Sequence, residues 1–486
     1  MYRKKTHIHF VGIGGIGMSG IAIVLRNQGY EVSGCDKDIH QATIYELQKR
    51  GCAIYEGNNT ALCHEPAIDV VVYSSAIARI NPEITAAQSR GVPTIPRALM
   101  LAELMRTKFS VAIAGSHGKT TTTSLISHIL IEAQLDPTVI IGGHLKNIST
   151  NARLGTGDFL IAEADESDRS FLNLYASLAI ITNIDLEHLE TYQNLDDVKQ
   201  TFKQFITNLP FYGKAILCID DENVRSLLPI AHIKTITYSL TPEADIWASD
   251  IILNPTSSQF TVHYKDIKYN TDTILGTITT SLLGRHNILN SLAAIALTKE
   301  LGVSFDTIAQ AITNFKGIER RFCYHGTFKQ AELFDDYGHH PKEILSTLIV
   351  ARRRAKNKLI VVFQPHRYTR TYHLWNDFLD VFEKSCIDHL IITDIYAASE
   401  SPIAQVTSEN FVTTLKERRP GFSVSYAPYE ENFKSIINNL TPLLAPDDLV
   451  LFLGAGKLNL LAHELATYET ENYRLNTIDI KEKTLT

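Results

Sequence analysis

Cysteine is scarce in this sequence. Its six cysteines in 486 residues, Cys35, Cys52, Cys63, Cys218, Cys323 and Cys386, are scattered and form no C-x-x-C pair. That pattern suits reduced thiols in a cytoplasmic protein better than a disulfide framework or a zinc site. Positive charge is also short: 46 Lys and Arg face 53 Asp and Glu, a formal net charge of −7. Binders of nucleic acid or anionic membranes carry a basic footprint, so neither partner is expected. The run Arg352-Arg353-Arg354 is short and reads as a solvated helix face. No uninterrupted apolar stretch is long enough to span a bilayer, so no stable membrane insertion is expected. The basic start Tyr2-Arg3-Lys4-Lys5 resembles a signal peptide only faintly. Glycines break the apolar run behind it, and no small-x-small cleavage site follows. Low-complexity repeats are absent, and the charged tail after Leu465 is expected to be poorly ordered or at most a loose helix.

What is present is a chain too long for one core, so two to four domains are expected. With 44% hydrophobic and 20% charged residues it has the composition of a soluble globular protein. Three blocks alternate strand-like and helix-like segments, which predicts α/β layers with parallel sheets. The first has strands at Ile8–Val11, Glu31–Gly34 and Val70–Tyr73, and helices at Ser19–Asn27 and Ala98–Met105. The second has strands at Ser110–Ala114, Phe159–Ala162, Leu178–Thr182 and Ala215–Ile219, then a β-rich insertion over 235–283 and a helix at Gly284–Leu301. The third starts near Arg320, with strands at Leu333–Asp335, Leu359–Phe363, Leu390–Thr393 and Leu449–Leu453.

The first block opens with G-x-G-x-x-G at Gly12, Gly14 and Gly17, between a strand and a helix. Glycine lets the backbone approach a pyrophosphate, and the helix N-terminus offers free N–H donors. Asp36, at the end of the next strand, is placed to hydrogen-bond a ribose. This pattern fits a nicotinamide dehydrogenase, but pyrophosphate recognition is blind to what hangs off either end.

The second block weakens that reading, because Gly118-Lys119-Thr120 also joins a strand to a helix, as in a P-loop. There a lysine serves the β- and γ-phosphates and a threonine hydroxyl ligates Mg²⁺. The loop departs from the strict pattern in having Ile113 at the first glycine position, with Gly115 closer in. Glu163-Ala164-Asp165-Glu166-Ser167-Asp168 follows an apolar strand and reads either as a Mg²⁺ site at a strand's carboxyl end or as an acidic helix N-terminus. Asn183-Ile184-Asp185-Leu186-Glu187-His188 follows another strand, which makes His188 a candidate metal neighbour. In the third block, Asp335-Asp336-Tyr337-Gly338-His339-His340-Pro341 and Gln364-Pro365-His366-Arg367-Tyr368-Thr369-Arg370-Thr371 end successive strands. Their arginines read as carboxylate or phosphate clamps. Zinc at the histidine pair is disfavoured, because adjacent histidines point apart and no cysteine helps.

Taken in order, VGIGGIGMSGIA, AGSHGKTTTT, EADESDRSFL, TNIDLEH, LLGRHNILNSLAAIA, ERRF, DDYGHHPKEI and FQPHRYTRT resemble the Mur ligases of peptidoglycan synthesis, from His7 to about Glu464. Ser116-His117 within the P-loop resembles the member that adds the first alanine, where the member that recycles murein tripeptide usually has Thr. The resemblance implies two Rossmann-like parallel-sheet domains, 1–106 and 320–486, flanking a central P-loop ATPase-type α/β domain, 107–319. It implies ATP-dependent ligation of L-alanine to the lactyl carboxylate of UDP-N-acetylmuramate through an acyl phosphate. ATP and Mg²⁺ are the implied co-substrate and cofactor, with the protein a monomer or weak homodimer.

Site residues follow from the same resemblance. Gly115, Ser116, His117, Gly118, Lys119, Thr120 and Thr121 would cradle ATP, with Asn287 at the adenine, Arg321 at the γ-phosphate and Asp336 near the ribose or phosphates. Thr120 and Glu163 would hold one Mg²⁺, and Glu163 with His188 would hold or border a second. His340 or His339, with Arg367 and Arg370, would bind the alanine and the nascent acyl phosphate. Gly14, Gly15, Ile16 and Gly17 would lie along the UDP, helped by Asp36, Ser74 and Ser75. Departures from the family pattern stand at Asn58 after Gly57 and at Arg97-Ala98-Leu99-Met100, where the family has Arg-Ala-Glu-Met. A third is Glu187-His188-Leu189-Glu190, which preserves charge.

Overall fold

The computed structural model describes residues 6–57, 68–74, 76–145, 150–266, 271–398 and 400–468. Ser75, Asn58, Cys63 and most of the charged tail lie outside the described residues. The chain divides into two compact units, one carrying two sheets and reaching Gly317, the other built on a third sheet from Ile318 onward.

The first sheet holds β1 (His7–Val11), β2 (Glu31–Asp36), β3 (Ala53–Glu56), β4 (Val70–Tyr73) and β5 (Thr94–Pro96). Its helices are α1 (Ile16–Asn27), α2 (Ala42–Lys49), α3 (Pro82–Ser89) and α4 (Arg97–Met105). The strand order is β3-β2-β1-β4-β5, and every pairing is parallel, with Ile8 opposite both Val32 and Val70. The order reverses between β1 and β4, the switch point at whose carboxyl ends open α/β sheets bind ligands. β1 is buried along its whole length, as a strand covered on both faces must be. Its two histidines are accommodated by polar partners: His9 contacts Glu83 at 3.0 Å and Ser33 at 2.8 Å.

The central sheet follows the order β15-β14-β13-β12-β11-β10-β6-β9-β7-β8. Its elements are β6 (Phe109–Ala114), α5 (Lys119–Glu132), β7 (Thr138–Leu145), β8 (Thr150–Arg153), β9 (Phe159–Glu163), β10 (Leu178–Ile181), α6 (Leu195–Thr207), β11 (Lys214–Cys218), α7 (Glu222–Arg225), β12 (Lys234–Ser239), β13 (Ile246–Leu253), β14 (Ser258–Asp266), β15 (Thr271–Thr280), α8 (Arg285–Glu300) and α9 (Phe305–Asn314). α6 shows why these helices form. Asn194 caps it by accepting the Asp197 N–H, and Val198, Phe202, Phe205 and Ile206 form its buried stripe. The β-rich insertion expected over 235–283 is only half an insertion. β12 continues the sheet in parallel beside β11 and pairs in parallel with β13, while β14 and β15 form an antiparallel hairpin at the edge.

The third sheet contains β16 (Cys323–Phe328), β17 (Ala331–Asp336), β18 (Leu359–Phe363), β19 (His389–Ile392), β20 (Val424–Tyr426) and β21 (Leu449–Leu453), in the order β16-β17-β21-β18-β19-β20. It is parallel except for β16. Alternate strand residues feed two cores. Val361, Leu390, Ile392, Leu449 and Leu451 pack on one face with α10 (Pro341–Arg354), α12 (Trp375–Lys384) and α13 (Ser408–Arg418). Ile360, Val362, Ile391, Val450 and Phe452 pack on the other with α14 (Lys434–Leu440) and a helix over 458–468. The short α11 (Tyr368–His373) precedes α12. The fold is therefore α/β: in chain order, a Rossmann-like sheet, a P-loop sheet and a second Rossmann-like sheet. The arginine run is the last turn of α10, where Arg354 grips Glu332 and Arg352 grips Asp388.

Candidate active site

The loop after β1 is built by backbone bonds. Gly12 and Ile13 both donate to the Cys35 carbonyl, at 2.9 and 3.0 Å, and Gly12 has a φ of 80° that suits glycine. Asp36 accepts the Gly14 N–H at 2.8 Å, and its other oxygen accepts from Asp38 and Gln41. The carboxylate expected at a ribose is thus engaged in fixing the loop. Gly15 caps α1, Ile16 and Gly17 form its first turn, and Ser74 stands beside Gly12 at the end of β4. These residues converge on the switch point. Ser75 lies outside the described residues.

The P-loop after β6 is held from both flanking strands. On the β10 side, Asn183 accepts the His117 N–H at 2.8 Å, Thr182 donates to the His117 carbonyl at 2.6 Å, and Ser116 accepts the Asp185 N–H at 2.8 Å. Gly115 (φ 132°) has no room for a side chain, since a Cβ there would lie 2.1 Å from Thr182 Oγ1. Gly118 (φ 81°) caps α5, and a Cβ there would lie 2.6 Å from Asn290 Oδ1. Asn290 accepts from Thr122 and donates to Asn287, so the expected adenine contact is tied to the loop. Thr121 is buried in the first turn of α5.

Lys119 curls over this loop and donates to the Gly115 and Ser116 carbonyls and to Glu166 at 2.9 Å. Burial opposes its charge, but Glu166 outweighs that and holds the ammonium above its ordinary pKa. Thr120 Oγ1 donates to Glu163 Oε1 at 2.6 Å, and Glu163 also accepts from the Gly142 N–H. The stretch from Glu163 is not a helix N-terminus: Glu163 ends β9, and the next regular element is a single 3₁₀ turn, Ser170–Asn173. His188, at φ 56°, lies 3.9 Å from Glu166 and 3.8 Å from Glu187. The three converge within 4.8 Å of one another, so His188 is grouped with Glu166 and Glu187, whereas the sequence paired it with Glu163. Carboxylates and a hydroxyl form the donor set of a hard divalent cation.

The second unit gathers its polar residues at the carboxyl ends of β17, β21, β18 and β19. Asp336 is buried and accepts from Phe322 N, Gly338 N and Thr347 Oγ1; burial pushes its carboxyl up to about 6. Arg321 lies 3.6 Å from Glu343. His340 caps α10 by accepting the Lys342 N–H, and Glu343 reaches back in a capping box. His339 packs against His366, 5.8 Å between ring centres. Burial lowers His339 to about 3, and burial with Arg370 and Arg367 lowers His366 to about 4, so both rings are neutral at pH 7. Arg370 donates to His366 Nδ1 at 3.1 Å, and Arg367, at φ 70°, lies 3.9 Å from Glu400. The arginines are thus the cations of this cluster, and the histidines shape it.

Several positioning residues escaped the motif reading. Arg320 donates to the Gly454 and Gly456 carbonyls and stacks on Tyr337. Asn183, Asn290 and Glu166 build the P-loop surroundings. Their signal was present, since each lies inside or beside a recognised motif, but only folding shows which neighbour each one serves.

Family models agree with this architecture. Residues 7–109 match the Mur ligase family catalytic domain, 113–298 the Mur ligase middle domain, and 320–456 the Mur ligase glutamate ligase domain. The chain belongs to the Mur ligase family. The UDP-N-acetylmuramate–L-alanine ligase of Syntrophus aciditrophicus is 46% identical to it over 461 residues, covering 94% of this chain and 92% of that protein. Among solved structures, the UDP-N-acetylmuramate–alanine ligase of Thermotoga maritima superposes with a TM-score of 0.77 at 26% identity, covering 96% of this chain and 99% of that one. A murein peptide ligase from Psychrobacter arcticus gives 0.70 at 25% identity, covering 95% and 98%. The nicotinamide reading of the opening glycines is set aside.

Proposed function

We propose that this chain joins L-alanine to the lactyl carboxylate of UDP-N-acetylmuramate in peptidoglycan precursor synthesis, converting ATP to ADP and phosphate. The observation that carries this reading is a lysine P-loop framed by carboxylates, in a chain 46% identical over 94% of its length to an enzyme of that name. A carboxylate does not acylate an amine directly. Transfer of the γ-phosphoryl group gives an acyl phosphate, the amine of alanine adds to its carbonyl carbon, and the tetrahedral intermediate expels phosphate as the amide forms.

The residues fit that sequence of charges. Gly14, Gly15, Ile16 and Gly17 would line the UDP, helped by Asp36, Ser74 and Ser75. Lys119 would exchange Glu166 and its own loop carbonyls for the β- and γ-phosphates. Thr120 and Glu163 would hold Mg²⁺, and His188, with Glu166 and Glu187, would border a second cation. When bound, the cation neutralises the phosphate oxygens on which charge develops. Asn287, Arg321 and Asp336 would serve the nucleotide. Arg367 and Arg370, beside the neutral His339 and His366 and with His340, would bind the alanine carboxylate and the acyl phosphate. Domain limits at 106/107 and 319/320, a cytoplasmic location and a monomeric or weakly dimeric state complete the proposal. Among the described residues no helix is long and apolar enough to cross a membrane.

Phosphate release from ATP, measured with UDP-N-acetylmuramate and either L-alanine or murein tripeptide, tests the reading. Release is expected with L-alanine. Release with the tripeptide alone would assign the recycling reaction instead.

A further inference from the structure

Three metal-ligating side chains meet in the core of the first sheet, and none of the roles above uses them. His9 stands on β1, Cys35 on β2 and Glu83 in the first turn of α3. All three are buried, at 0%, 0% and 1% exposure. Glu83 Oε2 lies 3.0 Å from His9 Nε2 and accepts from Cys35 Sγ at 3.2 Å. The three ligand atoms fall within 4.8 Å of one another. In a tetrahedral zinc complex, bonds of about 2.0–2.3 Å set neighbouring ligand atoms roughly 3.3–3.5 Å apart. The cluster is already close to that spacing, so an ion requires only a small outward shift of the side chains.

The chemistry of the set selects the ion. Thiolate and imidazole favour Zn²⁺ over Mg²⁺, which keeps to oxygen ligands. A thiolate, a carboxylate and a neutral imidazole also cancel the two positive charges of the ion, so no net charge is left in the core. Val11, Val71 and Ala87 belong to the same apolar cluster as Cys35. A short relay orients the imidazole. His9 Nδ1 lies 2.8 Å from Ser33 Oγ, which lies 2.7 Å from His7 Nε2. When His9 donates through Nδ1 to Ser33, its Nε2 lone pair faces the cluster, the tautomer a metal requires. Ser33 then donates to His7 Nε2. No hydrogen bond at His7 Nδ1 opposes that polarity, since this buried atom has no partner among the described residues.

We propose that His9, Cys35 and Glu83 form a structural Zn²⁺ site, with the second Glu83 oxygen completing four ligands. Cys35 loses its thiol proton to solvent as the ion binds, and His9 stays neutral with its proton on Nδ1. Ser33 is a positioning residue that acts through His9. The ion joins β1, β2 and α3, which supply one ligand residue each. It braces the end of β2, where the Cys35 carbonyl accepts the Gly12 and Ile13 N–H groups of the first glycine loop. The inference stands apart from the ligase reading, and the ion takes no part in that chemistry.

The test is the metal content of the full chain, expressed in zinc- or cobalt-supplemented minimal medium and purified in excess Mg²⁺. The ligands are sealed in the core, so the ion enters as the chain folds. Wild type should carry a tightly held Zn²⁺ in each chain, and its cobalt form should show the near-ultraviolet thiolate-to-cobalt charge-transfer band. Cys35→Ser should lose both. His9→Gln keeps every thiol, so loss of the band in that variant too ties it to this cluster and not to another cysteine. Ser33→Ala should keep the band and weaken Zn²⁺ by about ten-fold in chelator competition, because only the orientation of His9 is lost. Wild type with no more zinc than Cys35→Ser, or a cobalt form without the band, overturns the site. If Cys35→Ser fails to fold, His9→Gln decides: a band retained there overturns the site as well.

Discussion

The loops after β1 and β6 have the same geometric plan and different surroundings. Each follows a buried parallel strand, turns on glycine of positive φ and opens a helix. The first is fixed by a backbone carbonyl and by Asp36, and residues 12–17 contain no charged side chain. The second carries Lys119 and is ringed by Glu163, Glu166, Asp185 and Glu187. In the proposed function, the glycine turn sets where a phosphate would rest. Whether that phosphate is merely held or is transferred depends on the charges brought in from neighbouring strands.

The largest effect that separates the two loops is expected from Lys119→Ala. Loss of the one ammonium at the second loop should lower turnover by about 10³-fold, while UDP-N-acetylmuramate affinity by calorimetry stays within about three-fold of wild type. A parallel loss of UDP-sugar binding would break the division of labour. Next in size is Gly118→Ala, which places a side chain at φ 81° and 2.6 Å from Asn290 Oδ1. It should destabilise the protein by about 1–3 kcal/mol in urea unfolding and weaken ATP binding more than UDP-sugar binding. Gly14→Ala should be mildest. Its φ is ordinary, and the atoms nearest the new Cβ belong to the Asp36 and Gln41 side chains, from 2.9 Å. UDP-sugar affinity should fall by about ten-fold, with Mg²⁺-ATP affinity unchanged in the same calorimetric assay. Equal losses at both sites would show that the loops are not independent.

Much of this was legible in the sequence because the two phosphate loops are local. Strand, turn and helix are contiguous, so Gly12–Gly17 and Gly115–Thr120 carried their own context. The apolar runs of β6, β10, β18 and β21 were equally plain, since strands buried on both faces have no polar alternation to hide them. The half-exposed β3, β5 and β20 carry no such run and were not read. At the sites, residue types were visible but partners were not. Asp36, read as a ribose ligand, also accepts the Gly14 N–H, and His188, paired with Glu163 in the sequence, groups with Glu166 and Glu187. His9 and Glu83 lie 74 positions apart, and no spacing rule joins them.

One contact bears on inhibitor chemistry. Asn151, on β8 of the central sheet, donates to the Ile16 carbonyl at 2.6 Å and to Ser19 Oγ at 3.0 Å in α1. The helix that the first loop opens is therefore fastened to the sheet that carries the second. For the proposed sites, a tethered compound joining a uridine diphosphate mimic to a triphosphate mimic would run between two loops carried by the same compact unit. Its gain over the separate halves depends on linker length and stiffness, and an effective concentration that peaks at one length would measure the distance between the loops in solution.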